Sequence, residues 1–163
     1  MKLKEIAIGY IDIPLVTPFK TALRTVNSVN DLIVKVTAED GTEGYGEAPP
    51  TAVITGDTKE SIEAAIRYYI APTIKGMDLE DLPAIMQKLE KCLAKNTTAK
   101  AAVDIALYDL YAKLQKKPLF RLLGEKSRSW SKRSWKLTLR SASMRPRRWS
   151  ATASWPWKKV SMC

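Results

Sequence analysis

The sequence predicts an α+β fold, and three observations carry that expectation. Apolar residues recur with a period near two through the first 48 positions. They recur with a period near 3.6 after Asp57, and an Asp40-Gly41 hairpin signal lies between two of the strand-like runs. Strands first and helices after give a three-stranded antiparallel meander followed by a three-helix layer, over residues 1–117.

The first strand is expected near residues 3–13. Ile6, Ile8 and Tyr10 alternate, then Ile11 and Ile13 continue out of phase, so a bulge is expected near Gly9. A polar loop through TPFKTALRTVNS should follow. The second strand, near 29–38, alternates Leu32, Val34 and Val36 with Ile33, Lys35 and Thr37. A type I′ turn at Asp40-Gly41, with both central residues at positive φ, should lead into a third strand near 42–48. Gly44 and Gly46 leave one face of that strand bare, as a close backbone approach requires.

Asp57 and Glu60 have the spacing of a capping box, ahead of an apolar face at Ile62, Ala65, Ile66 and Tyr69 that Pro72 should end. A second helix is expected from Pro83, preceded by Asp78, Glu80 and Asp81, which suit its N-terminal dipole. The third, from about Thr98 to Leu114, is apolar around much of its circumference and should pack on more than one side.

Composition breaks at Gly124. Residues 1–124 carry 16 Lys+Arg and 16 Asp+Glu; the remaining basic residues, all five tryptophans and the single acid Glu125 fall after it, so that segment accounts for the whole net charge of +10. Two domains of text are therefore expected: 1–124, globular, and 125–163, a Ser/Arg/Trp-rich tail too poor in patterned apolar residues to order itself. A basic segment with aromatics could bind nucleic acid or another anionic surface non-specifically, which is the alternative function for the chain. The tryptophans lack the periodic basic–aromatic pattern such binding uses.

Several classes are excluded. With 0 His there is no Ser–His nucleophile system, and the commonest general base and zinc ligand is absent. Cys92 and Cys163 make neither a disulfide framework nor a metal cluster. No apolar run approaches the length of a membrane span, and the opening residues are interrupted by Glu5 and Asp12, unlike a signal peptide, so a cytoplasmic location is expected. Glu39, Asp40, Glu43 and Glu47 around the hairpin could hold a hard cation, but a solvated rim is the expected reading, with no metal. The loop holding Phe19, Lys20, Thr21 and Arg24, and a second loop with Pro49-Pro50, Val53 and Ile54, are long enough to line a ligand site. Arg24 could bind an anion there or be solvated.

PLVTPFKTALRTV, GYGEAPPTAVITGDT and TTAKAAVDIALYDLYAKLQKKPLFRLLG, in that order, resemble the N-terminal capping domain of the enolase superfamily. The resemblance is nearest to the muconate lactonizing enzyme subgroup and its dipeptide epimerases acting on Ala-Glu. It implies a cap whose two loops close over a (β/α)₈ barrel. Arg24 would meet the glutamyl carboxylate of the dipeptide, Thr21 would shape the same pocket, and Phe19 and Ile54 would shield it from water. It also implies an isomerase that removes an α-proton beside a carboxylate, with Mg2+ held by barrel carboxylates and a lysine base on each face. None of those residues can be placed in this chain. It is therefore expected to bind no cofactor, to contain no catalytic residue and to be inactive alone, and the barrel-facing third helix could drive self-association. Codons can be chosen so that the tail, read two bases later, yields a strand and helix like the family's first barrel unit. The tail is accordingly expected to be a frameshift product after about residue 124.

Overall fold

The computed structural model describes residues 1–22 and 24–124, together with the backbone of Lys158–Lys159. The expectations for the rest of residues 125–163 lie outside the described residues.

Strands β1 (Leu3–Lys20), β2 (Thr25–Ala38) and β3 (Glu43–Ala48) form the expected antiparallel meander. A two-residue strand, β4 (Lys158–Lys159), pairs antiparallel with Ile8 and Ala7 on the outer edge of β1, giving the order β3-β2-β1-β4. Helices α1 (Lys59–Ala65), α2 (Ala71–Ile74), α3 (Leu82–Lys91), α4 (Thr97–Leu114) and α5 (Leu119–Leu122) follow, with a π-helical segment at Ile66–Ile70 joining the first two.

One sheet face is Ile6, Ile8, Leu32, Val34, Val36 and Ala48, all buried, and the helices cover it with Ile62, Ile66, Ile70, Ile74, Ile85, Val103, Leu107 and Leu110. The bare face of β3 has the predicted purpose. A Cβ on Gly44 would lie 2.2 Å from the Ala106 carbonyl oxygen, and one on Gly46 would lie 2.0 Å from that of Ala102. Only glycine lets the α4 backbone come so near. The same helix covers the free edge of β3: the Tyr45 N–H donates to Asp109 at 2.9 Å, and Lys113 Nζ donates to the Glu43 carbonyl at 2.8 Å.

Several local expectations are corrected. The register shifts between Leu3 and Glu5 and between Pro14 and Phe19, not near Gly9. The second shift spans Pro14 and Pro18, which have no N–H to give the ladder. At the β2–β3 turn only Gly41 has positive φ, at 86°, so the connection is not type I′; Asp40 instead accepts from the Thr42 N–H and hydroxyl, both at 2.9 Å. The box that starts α1 is Thr58 with Ser61, each side chain bonded to the other's backbone N–H. Asp57 accepts instead from the Thr98 hydroxyl at the start of α4.

Pro72 does not end the first helical run. It falls in the first turn of α2, directly after the π-helical segment, and the Thr73 hydroxyl donates to the Tyr69 carbonyl at 2.6 Å. Ile66, Ile70 and Ile74 stay buried on one face through the irregularity, and the turn at Gly76, φ 79°, follows the run. No helix among the described residues is long and apolar enough to cross a membrane.

Candidate functional site

The segment expected as a polar loop is strand. β1 and β2 stay paired far past the end of β3: Ala48 is opposite Leu32, whereas the outermost pair is Lys20 with Thr25. The ten steps from Tyr10 to Lys20, at ~3.3 Å each, make an arm of about 33 Å before its kink is counted. The arm is exposed on both faces from Val16 onward, with Val16 at 97 % and Phe19 at 61 %. That explains the error, because alternation marks a strand only where one face is buried.

Thr21 and Arg24 bound the turn at the tip. The Thr21 N–H donates to the Arg24 carbonyl at 2.8 Å, and the Arg24 N–H donates to Thr21 Oγ1 at 3.1 Å. The Thr21 hydroxyl in turn lies 3.1 Å from the Arg24 carbonyl oxygen. The Arg24 side chain is exposed and makes no ion pair among the described residues.

β1 and β3 run in the same direction, so the residues after Ala48 leave the sheet at the end from which the arm projects. These residues form one helical turn. The Ile54 and Thr55 N–H groups donate to the Thr51 carbonyl at 2.8 and 2.9 Å, and the Gly56 N–H donates to that of Ala52 at 3.1 Å. The Thr51 and Thr55 hydroxyls bond across the turn at 3.2 Å. Val53 and Ile54 are thereby held outward, at 66 % and 68 % exposed. The sequence signal for this support was the pair of threonines four apart around Ala52, Val53 and Ile54, and it was missed. So was the Asp57–Thr98 bond, which ties the loop's end to α4.

Arm and loop share one end of the sheet. The cavities of about 270 Å³ beside Met1, Asp40 and Lys113, and of about 470 Å³ between α3 and α4, include none of Phe19, Thr21, Arg24 or Ile54. The arrangement is a projecting arm with a cationic tip beside a loop with an exposed apolar patch.

The hairpin carboxylates are spent on different partners. Glu43 accepts from Lys35 Nζ at 2.8 Å and from the Tyr45 hydroxyl, which hold its carboxyl below the usual range. Burial, with that bond to Glu43, pushes the Tyr45 phenol up to about 12. Backbone and hydroxyl donation from Thr42 lowers Asp40, Glu39 accepts the Lys2 N–H at 3.1 Å, and a hydrogen bond to Asp31 raises Glu47. Among the described residues no three His, Cys, Asp or Glu side chains converge on a point where a metal could sit, so they do not fit the Mg2+ that the resemblance implies.

A meander with α4 pressed against glycines of β3, and an arm and a loop projecting from one end, defines the class. Residues 6–124 match the mandelate racemase / muconate lactonizing enzyme N-terminal domain, and the chain belongs to that family. Within it the chain is 55% identical over 124 residues to the L-Ala-D/L-Glu epimerase of Clostridium acetobutylicum, covering 76% of this chain and 35% of that protein. It superposes on the substrate-liganded L-Ala-D/L-Glu epimerase of Bacillus subtilis with TM-score 0.74 and 46% identity, over 76% of this chain and 34% of that one. For a dipeptide epimerase of Methylococcus capsulatus complexed with Mg and the dipeptide L-Arg-D-Lys, the TM-score is 0.72 and the identity 33%, over 78% and 36% of the chains. The chain thus spans about a third of the length of these relatives.

Proposed function

We propose that residues 1–124 are the substrate-specificity cap of a Mg2+-dependent epimerase acting on dipeptides with an acidic second residue, L-Ala-D/L-Glu in type. A domain boundary at Gly124 is supported by the family match, which runs over residues 6–124 and stops just past α5. The observation that carries the reading is the exposed Arg24 at the tip of the arm, which makes no ion pair among the described residues, in a chain 55% identical over these residues to an L-Ala-D/L-Glu epimerase.

A guanidinium offers a carboxylate two parallel donors, which a lysine cannot, so Arg24 orients the acidic side chain of the dipeptide. Phe19 and Ile54 exclude water above it. Epimerisation removes the α-proton and returns one to the opposite face, which takes a base on each side. Lys20 is the one lysine of the arm, and a single base cannot serve both faces. When bound in the catalytic barrel of such an enzyme, Mg2+ supplies charge stabilisation to the deprotonated substrate. The cap supplies orientation and water exclusion, which act only on bases already in place.

The test is a chimera in which residues 1–124 replace the N-terminal third of the Bacillus subtilis epimerase, assayed by solvent deuterium exchange at the α-carbon. The chimera is expected to exchange the α-proton of L-Ala-L-Glu, and the 163-residue chain alone is not. Arg24→Gln should lower kcat/KM for L-Ala-L-Glu about 100-fold, the size of a lost buried charge partner, and leave L-Ala-L-Leu nearly unchanged. Equal loss on both dipeptides removes the assignment.

A further inference from the structure

We propose that Thr21 is a positioning residue for Arg24 and not a wall of the substrate pocket; this rests on the reading of Arg24 as the carboxylate-binding group. Its hydroxyl is already committed within the turn. Thr21 Oγ1 accepts the Arg24 N–H at 3.1 Å and lies 3.1 Å from the Arg24 carbonyl oxygen, while the Thr21 N–H donates to that same oxygen at 2.8 Å. Both polar groups of the Arg24 main chain are therefore held by one residue.

The place in the fold makes that hold consequential. Lys20 and Thr25 form the last pair of the ladder, so Arg24 stands just outside it, at the end of an arm whose β1 residues from Val16 onward are exposed. Among the described residues no other side chain bonds to the Arg24 main chain. With the hydroxyl gone, the Thr21 N–H makes the one remaining hydrogen bond to the Arg24 main chain among the described residues. The guanidinium would then have to be ordered at the moment of binding, a cost that preorganisation removes.

Two substitutions separate positioning from wall. Thr21→Val keeps the shape of the side chain and removes the hydroxyl; Thr21→Ser keeps the hydroxyl and removes the methyl group. Thr21 is exposed, so neither change threatens the core.

In the chimera described above, Thr21→Val should lower kcat/KM for L-Ala-L-Glu about fivefold, the size of one lost hydrogen bond, chiefly through KM. Turnover of L-Ala-L-Leu should be unchanged, Thr21→Ser should behave as the parent, and Thr21→Val should have no further effect once Arg24 is Gln. In the 163-residue chain itself, amide hydrogen exchange at Arg24 should accelerate in Thr21→Val and not in Thr21→Ser.

The proposal is overturned if Thr21→Ser is the impaired variant, if Thr21→Val reduces both dipeptides alike, or if Arg24 amide exchange is indifferent to the hydroxyl. Should Arg24→Gln itself leave the preference for L-Ala-L-Glu intact, the reading of Arg24 fails, and the inference about Thr21 fails with it. A normal Thr21→Val beside an impaired Arg24→Gln overturns only the inference.

Discussion

β1 has two halves that obey different rules. From Leu3 to Ile8 its side chains meet β2 on one side and the helical layer below, and Leu3, Ile6 and Ile8 are almost fully buried. From Asp12 to Lys20 it still pairs with β2, yet its last residues lie open to solvent on both faces. The inner half is held by packing in the core, and the outer half chiefly by its pairing with β2. Packing constrains side-chain identity; a ladder does not, so the arm can carry residues chosen for what they bind.

That contrast can be broken at four points. The largest effect belongs to Leu107→Ala, which removes a fully buried side chain from α4; unfolding in urea should show a loss of about 4 kcal/mol. Gly46→Ala comes next. Its Cβ would lie 2.0 Å from a backbone oxygen that cannot swing aside, so the loss should be about 3 kcal/mol, measured in the same way. A loss under about 1 kcal/mol would show that α4 does not rest on β3 as described.

On the arm, Phe19→Ser should change stability by no more than about 0.5 kcal/mol, although the residue removed is an aromatic. A larger loss would mean that the arm is packed against part of the protein. The smallest effect concerns Glu47, whose carboxyl is raised by its hydrogen bond to Asp31 and by burial. A raised carboxyl means that ionisation is disfavoured in the folded state. This penalty is fully present above the folded pKa and fades as the pH falls through it toward the unfolded value. Glu47→Gln should therefore raise Tm slightly at pH 7 and lose that advantage near about pH 4, a comparison that thermal melts at the two pH values will make. A Tm gain that persists in acid would exclude the ionisation of Glu47 as its cause.

The domain and its orientation of layers were legible because they depend on periodicity. Alternation at Leu32, Val34 and Val36 requires a half-buried strand, Gly44 and Gly46 require an unusually near neighbour, and the all-round apolar helix over 97–114 requires contact on more than one side. The resemblance gave Arg24, Thr21, Phe19 and Ile54 their expected roles, but not their setting.

What the amino-acid sequence determined by itself was therefore the α+β order, the core face of each strand of the meander and the break at Gly124, all consequences of local pattern and composition; the π-helical segment turns Tyr69, expected on the core face, out to solvent and buries Ile70 instead. Tertiary structure alone decided three things. The Phe19–Arg24 segment is the tip of a long paired arm, because strand pairing between exposed residues leaves no hydrophobic signature. Thr58 and not Asp57 caps α1, because Asp57 has a distant partner in Thr98 that no window around residue 57 contains. The helical run continues past Pro72, because burial of Ile66, Ile70 and Ile74 against the sheet outweighs the hydrogen bond that proline cannot make.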